Sequence, residues 1–256
     1  LAVSGARPCW LTAGFVIEEG FPIAELREIA GSMAAAARAA GVVVVAGDTK
    51  VVERGAADGL YITTAGAGVL EHDLALGADR VRPGDRILLS GTMADHGMAV
   101  MIARGDLALD VDLSSDSAPL HELAGALLGL GGALRWMRDP TRGGVATALN
   151  ELAVPSGLGV LLDEASLPVE PAVGAACELL GIDPLYVANE GKLLAVVAPE
   201  AEVRALELLR AHPLGRGART IAEVTGDPPG MVLMRTGIGG TRIVDLLVGD
   251  PLPRIC

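Results

Sequence analysis

The chain has 256 residues, of which 51% are hydrophobic and 20% charged, enough to bury the cores of two ordinary domains. A formal net charge of -12 without any Lys/Arg run removes the attraction that dominates nucleic-acid binding. Mean hydropathy is +0.46, but the apolar runs are strand-length and fall short of the about 20 residues that cross a membrane. Three separated cysteines form no disulfide framework. We therefore expect a cytoplasmic protein.

The first third of the chain predicts a helix followed by two strands. The chain starts at Leu1 within LAVSGARP, which reads as the middle of a domain, so we expect an N-terminal segment to be missing. Apolar residues at helical spacing follow Pro22 and stop at Gly41, a C-terminal cap. The β-branched run 42–46 predicts a buried strand that delivers Asp48 and Lys50 to a loop at its end. A further strand is predicted from Leu60.

The rest of the chain alternates helices and strands. A turn at 83–85 and a strand at 87–90 suggest a new domain, so we place the boundary near Ala78 and predict domains at 1–78 and 79–245. Asp95 is expected to cap a helix that stops near Gly105. The remaining predicted helices lie at 120–130, 145–154, 171–180 and within 199–213, and the remaining predicted strands at 159–163, 185–188 and 192–198 and near Ile221, Val232 and Ile243. This order predicts an α+β (mixed α/β) protein with a mixed sheet.

Lysine is rare and occurs beside acidic residues. The chain has 20 basic residues, of which only Lys50 and Lys192 are lysine, in the segments GDTK and NEGK. If the two lysines stood apart from other charged residues, their presence on the surface could be due to chance. A compact ammonium can approach one phosphate oxygen or lose its proton when desolvated, whereas arginine serves a solvated face equally well. Each lysine follows an acidic residue by two positions, Asp48 before Lys50 and Glu190 before Lys192, and this arrangement favours a functional role for the lysines.

The segment DPTRGG resembles a phosphate-binding helix start. Asp139, Arg142, Gly143 and Gly144 directly precede a predicted helix, whose first N–H groups attract anions. Taken alone, an Asp-Pro turn with an ordinary helix start is the commoner explanation. TGIGGTR at 236–242 is likewise compatible with a plain turn between strands. Carboxylates in separate loops, lysines and glycine-rich turns suit Mg-nucleotide binding, although no Walker-type loop is present.

The chain ends in GDPLPRIC, with Cys256 as its last residue. Two prolines within three positions favour an extended arm, and we predict that 246–256 is a mobile tail that carries the thiol. By contrast, Cys177 is predicted to lie in the core, and His96 is more often structural than catalytic in such a position. A terminal thiol packs against nothing, so its position indicates that something must reach it.

Together, seven segments resemble the HypE-type hydrogenase maturation family, the carbamoyl dehydratases. The segments are LAVSGARP, GDTKVV, SGTMADHG, DPTRGG, NEGK, TGIGGTR and the terminal PRIC. Most are shared more loosely with aminoimidazole ribonucleotide synthetase, selenophosphate synthetase and thiamine-phosphate kinase, whereas the terminal cysteine is specific to HypE. The resemblance implies a two-domain architecture of that superfamily. The family's glycine-rich opening and Asp-bearing strand have no match here, so we expect a truncated N-terminal domain.

The resemblance also implies the chemistry. ATP would activate the oxygen of a carbamoyl group bound to the Cys256 sulfur. Loss of this oxygen as phosphate would leave a thiocyanate, the cyanide source for [NiFe]-hydrogenase. Asp48 and Asp139 would hold Mg, Lys50 would handle phosphate or a proton, and Glu190 would be the base, with Arg142, Gly143 and Gly144 at the nucleotide.

Implied partners are a HypF-type carbamoyl donor, a HypC–HypD-type iron scaffold and a second copy of the chain. The alternatives are another ATP-dependent superfamily kinase or synthetase, and a non-enzymatic carrier or metallochaperone that uses the terminal thiol. A metallochaperone would need further Cys or His near the C-terminus, and the nearest histidine is His212.

Overall fold

The computed structural model describes residues 1–105 and 113–246. The chain divides into two compact units, Leu1–Asp73 and a second unit that starts at Leu74. Both units combine helices with strands, and both contain a mixed sheet. The predicted α+β class with two domains is therefore confirmed.

The first unit is a three-stranded sheet with one helix. Its strands are β1 (Arg7–Glu18), β2 (Val43–Val52) and β3 (Leu60–Val69), in the order β2-β1-β3. Strand β1 is parallel to β2 and antiparallel to β3, and helix α1 (Ile23–Ala39) makes the parallel connection. The predicted helix is confirmed, and it ends as expected because Gly41 adopts a φ of 65°.

The second unit is a seven-stranded sheet with helices packed on it. The strands are β4 (Arg86–Leu89), β5 (Leu134–Arg138), β6 (Gly159–Asp163), β7 (Leu194–Val197), β8 (Arg219–Thr225), β9 (Val232–Arg235) and β10 (Thr241–Ile243). The helices are α2 (Asp95–Ala103), α3 (His121–Leu128), α4 (Gly144–Ser156), α5 (Pro171–Leu180) and α6 (Glu202–Ala211). The sheet order is β10-β9-β6-β8-β4-β7-β5, and only the β6-β9 pair is parallel among the described strands.

The core of the second unit lies between this sheet and α4. Side chains of the central strands, such as Ile87 and Val196, pack against Leu149 and Leu152 of α4, and all four are almost completely buried. Apolar residues on both β4 and β7 explain why these strands are central, because both faces of such a strand must be covered. Cys177 is buried as predicted. Burial raises the pKa of its thiol to about 11.

Two predicted features of this unit are wrong. Residues 185–188 form no strand, because Pro184–Tyr186 is a 3-10 turn in which the Asp183 carboxylate accepts a hydrogen bond from the Leu185 N–H at 3.0 Å. Asp95 does not cap α2, since the N-cap residue is Ala94, in the left-handed conformation, with no side-chain cap. No helix in the described ranges is both long and apolar enough to cross a membrane.

Candidate functional site

Asn189 joins three segments of the second unit. Its side chain is fully buried. Its Oδ1 accepts from the backbone N–H of Ala94 at 2.8 Å, and its Nδ2 donates to the carbonyls of Pro140 at 3.1 Å and Val187 at 2.9 Å. The Asn189 side chain thus links the start of α2, the loop that follows β5 and the loop that precedes β7. It adds to the backbone hydrogen bonds from the Asn189 N–H to the Pro140 carbonyl and from the Gly97 N–H to the Ala188 carbonyl, both 3.2 Å. Two of these segments carry the predicted site residues Asp139 and Glu190.

Glu190 follows this amide and is half-buried. Its backbone N–H donates to Oδ1 of Asp116 at 3.0 Å. Burial raises the pKa of the Glu190 carboxyl, the carboxylates of Asp116 and Asp139 raise it further, and His96 works against them. A carboxylate with a raised pKa is a stronger proton acceptor than an exposed one, which is the property a general base needs. The same electrostatics indicate that Glu190 and Asp139 act on each other.

Lys192 forms a buried ion pair. Its Nζ lies 2.9 Å from Oδ2 of Asp116 and 3.6 Å from Oδ2 of Asp95, and the three side chains are 10%, 4% and 14% exposed, respectively. Thr92 Oγ1 also donates to Asp95. The pattern that singled out Lys192 therefore has a structural explanation, because a compact ammonium fits between two buried carboxylates. This pair anchors Asp116, which in turn positions the backbone of Glu190.

The DPTRGG segment leads from β5 into α4. Oδ2 of Asp139 accepts from Thr141 Oγ1 at 2.7 Å, and Arg142 is exposed. Gly143 is the N-cap residue, and no side chain caps the helix start. Gly144 has a φ of 62°, and a Cβ there would lie 2.4 Å from the carbonyl oxygen of Leu185. Backbone packing thus requires this glycine, while the uncapped helix start and the adjacent carboxylate fit the phosphates and metal of a Mg-nucleotide.

The structure places Asp48 and Lys50 within a strand. Both belong to β2 of the first unit and are exposed, so the expected loop after a buried strand is wrong. Gly47 lies inside β2, and a Cβ at this position would lie 2.6 Å from the carbonyl oxygen of Ala13 on β1. Close approach of the neighbouring strand explains this glycine. Two residues apart on one strand, Asp48 and Lys50 share a face of the sheet.

The remaining predicted features are placed as follows. Residues 236–240 form the turn between β9 and β10, with the Thr236 N–H donating to the Gly240 carbonyl at 2.9 Å, and Arg242 lies within β10. Nδ1 of His96 lies 2.8 Å from Ser115 Oγ. Cys256 and its proline arm lie outside the described residues. In the described ranges no three His, Cys, Asp or Glu side chains cluster as for a metal, so the assignment of Asp48 and Asp139 to Mg stays a prediction.

Sequence reasoning missed Asn189 and Asp116. Asn189 directly precedes the quoted NEGK glutamate, but an amide beside a glycine is compatible with any turn. Asp116 lies in the polar segment SSDS and contacts Lys192 across 76 positions of the chain. No local signal marks such a pair.

Comparison with known proteins gives two family matches. Residues 1–70 match the N-terminal domain of AIR synthase related proteins, and residues 82–234 match the C-terminal domain. The protein named carbamoyl dehydratase HypE from Bradyrhizobium diazoefficiens is 56% identical over all of this chain and 74% of its own length.

Solved structures agree with these matches. A structure of the hydrogenase maturation protein HypE in complex with ATP superposes with a TM-score of 0.94 at 44% identity, over 100% of this chain and 77% of that chain. A structure of a HypE–HypF complex superposes with a TM-score of 0.92 at 48% identity, over 96% and 80%.

Proposed function

Since this chain belongs to the HypE family of carbamoyl dehydratases within the AIR synthase related proteins, we propose that it removes water from a carbamoyl group on Cys256 in an ATP-dependent reaction. The product is a thiocyanate on the same sulfur, which supplies cyanide to the iron of a [NiFe]-hydrogenase. The observation that carries the proposal is the half-buried Glu190, whose raised pKa and proximity to Asp139 suit a base beside a nucleotide.

The reaction needs a leaving group and a base. The carbamoyl thioester has the form S–C(=O)–NH₂, and its oxygen cannot leave as oxide. When bound, ATP supplies the phosphoryl group that lets this oxygen depart as phosphate. Removal of both nitrogen protons then leaves S–C≡N. The overall reaction thus converts the carbamoyl group and ATP into thiocyanate, ADP and phosphate. The protein must therefore accept protons at the carbamoyl nitrogen and hold charge at the phosphates.

Glu190 accepts these protons. Its backbone N–H donates to Asp116 at 3.0 Å, and Asp116 is paired with Lys192 at 2.9 Å, so the backbone that carries the Glu190 side chain is anchored. Fixed orientation is what makes a general base effective. The glycine after it is required as well, because a Cβ on Gly191 would overlap the carbonyl oxygen of Asp116.

Asp48, Lys50 and Asp139 handle the nucleotide. Asp139 and Asp48 present carboxylate oxygens, the ligands that Mg prefers, and Lys50 offers an exposed ammonium to a phosphate or a proton. Arg142 and the N–H groups at Gly143 and Gly144, at the uncapped start of α4, suit phosphate oxygens. The ATP complex of the HypE relative supports nucleotide binding in this family.

The proposed partners are a HypF-type donor that carbamoylates Cys256, a HypC–HypD-type scaffold that takes the cyanide, and a second copy of this chain. The HypE–HypF complex supports the first. The dimer is supported by the first unit, where Val43, Val45, Val51 and Tyr61 are each more than half exposed. Cytoplasmic location belongs to the same proposal.

Phosphate release tests this function. The protein is incubated with Mg-ATP and a HypF-type donor, and phosphate is measured for the wild type, Cys256→Ala and the matched control Cys9→Ala. We expect release to require Cys256 and to survive in Cys9→Ala. Release that persists in Cys256→Ala would indicate another ATP-dependent activity of the superfamily, and thiol-dependent metal binding without any release would indicate a carrier.

A further inference from the structure

Three arginines line an open depression at the start of β8. The depression has a volume of about 440 Å³ and is lined by Ser166, Arg210, Arg216, Arg219, Thr220 and the backbone of residues 217–218. All three arginines are exposed, and the described residues that form the lining include no acidic side chain. This surface is cationic on a chain whose formal net charge is -12.

The three arginines differ from others of the same unit in having no acidic partner among the residues that the structure describes. Arg86, Arg138 and Arg242 each pair with a carboxylate. Within residues 1–105 and 113–246, no ion pair involves Arg210, Arg216 or Arg219.

Arg210 is nevertheless held in place. Its Nε donates to the carbonyl of Ala218 at 2.9 Å, which fixes the guanidinium at the rim. A positioned guanidinium loses less entropy when it binds a carboxylate than a freely rotating one. The depression thus combines a positioned cation with two further guanidinium groups that form no ion pair with the described part of the chain.

We propose that this arginine depression docks a carboxylate-rich segment of a protein partner. Guanidinium groups bind carboxylates through two parallel hydrogen bonds, and arginine is enriched in protein interfaces. A small free anion would be poorly held, because the three side chains are exposed and water screens single charge pairs there. A nucleic acid would be repelled by the overall negative charge of the chain.

The depression lies at the same end of the sheet as the candidate site, because Leu89 at the end of β4 pairs with Arg219 of β8 and with Leu194 at the start of β7. A Cβ on Gly217 would lie 3.6 Å from Cα of Gly91, and a Cβ on Gly91 would lie 3.0 Å from Cε of Lys192. Lys192 in turn holds Asp116, which binds the Glu190 backbone. A partner docked on the arginines therefore sits beside the loop that carries the base. On the proposed function, this partner is one that delivers the carbamoyl group or takes the cyanide.

Charge reversal tests the docking surface. Arg216→Glu/Arg219→Glu is compared with the wild type and with Arg80→Glu/Arg204→Glu, a control with the same change of net charge at exposed positions outside the lining. The probes are fluorescent hexaglutamate, hexaglutamine and inorganic phosphate, measured by fluorescence anisotropy and competition. We expect hexaglutamate to bind the wild type and the control in a salt-dependent manner, and binding by the reversal variant to be about tenfold weaker or worse, a loss of about 1.4 kcal/mol.

Four results would overturn the docking surface: no binding of hexaglutamate to the wild type, equal binding to both variants, equal binding of hexaglutamine, or displacement of the peptide by equimolar phosphate. A second titration uses the purified HypF-type donor and HypC–HypD-type scaffold, and we expect the reversal variant to bind one of them more weakly than the control does. Unchanged affinity for both would contradict the proposed role. If phosphate release proves independent of Cys256 while the peptide results hold, the proposed function fails and the docking surface stands.

Discussion

Replacing Asn189 with alanine should loosen the candidate site and destabilise the second unit. The change removes three side-chain hydrogen bonds of 2.8 to 3.1 Å from a fully buried position. At about 1 kcal/mol for each bond, with an added cost for the buried N–H of Ala94 left without a partner, we expect a loss of about 3 to 5 kcal/mol. The start of α2 and the loops that carry Asp139 and Glu190 should then be held together less tightly, since their mutual backbone hydrogen bonds remain.

The control is Asn150→Ala. Asn150 is also buried, and its Nδ2 donates to the carbonyls of Ala146 and Val244, both at 2.9 Å, so its loss should cost about 2 kcal/mol without touching the site loops.

Urea unfolding followed by tryptophan fluorescence measures both variants. The chain has two tryptophans, and Trp136 lies in the second unit while Trp10 lies in the first. A Trp10→Phe background therefore makes the signal specific to the second unit. Phosphate release is then compared without urea, at a temperature at which the fluorescence shows both variants to be folded. We expect Asn189→Ala to lose most of it and Asn150→Ala to keep it. An Asn189→Ala variant within about 0.5 kcal/mol of the background, or one with normal phosphate release, would refute the role of this amide.

Three further predictions concern single positions. Glu190→Gln should slow dehydration by about 10² to 10⁴-fold. Because burial raises the Glu190 pKa in the folded protein, the same change should raise the melting temperature at pH 8, but not at a pH below the pKa of this carboxyl in the unfolded chain, where it is neutral in both states. A variant that is less stable than the wild type at pH 8 would contradict this. Gly144→Ala should lower the free energy of unfolding in urea by about 3 kcal/mol, since φ is 62° and the new Cβ lies 2.4 Å from a carbonyl oxygen. Gly157→Ala, with a φ of 66° and open space around the new Cβ, should lower it by about 1 kcal/mol. Equal losses would refute the packing argument. Cys177, with a pKa of about 11, should resist iodoacetamide at pH 8 until the protein is unfolded, and rapid labelling of the native protein would contradict its burial.

Elements with a clear local pattern were predicted from the sequence. Helix α1 has a continuous apolar stripe and a glycine stop, and β6 was predicted with its observed bounds, 159–163. Strands β1 and β5 were not predicted, because the arginines in LRWMR conceal the short strand β5 and the opening LAVSGARP was interpreted only as the middle of a domain. The error at 185–188 has the same origin, since Asp183 and Pro184 set a turn that apolar composition does not reveal.

The candidate site was predicted only where its residues form short motifs. Asp139 and Glu190 stand in segments that the family resemblance marks, and the structure brings the segments together. Asn189 and Asp116 act through contacts 95 and 74 positions away along the chain, which no local pattern encodes. Lys192 was selected for its rarity, and the buried carboxylates around it explain why arginine was not used.

Mass spectrometry of the cysteines tests the central claim most directly. The protein is incubated with a HypF-type carbamoyl donor, first without and then with Mg-ATP, and digested so that Cys9, Cys177 and Cys256 fall in separate peptides. Our account predicts a carbamoyl group on Cys256 alone, which loses the elements of one water when Mg-ATP is added and becomes a thiocyanate. A carbamoyl group on Cys9 or Cys177 with Cys256 unmodified, or one on Cys256 that Mg-ATP leaves unchanged, would contradict it.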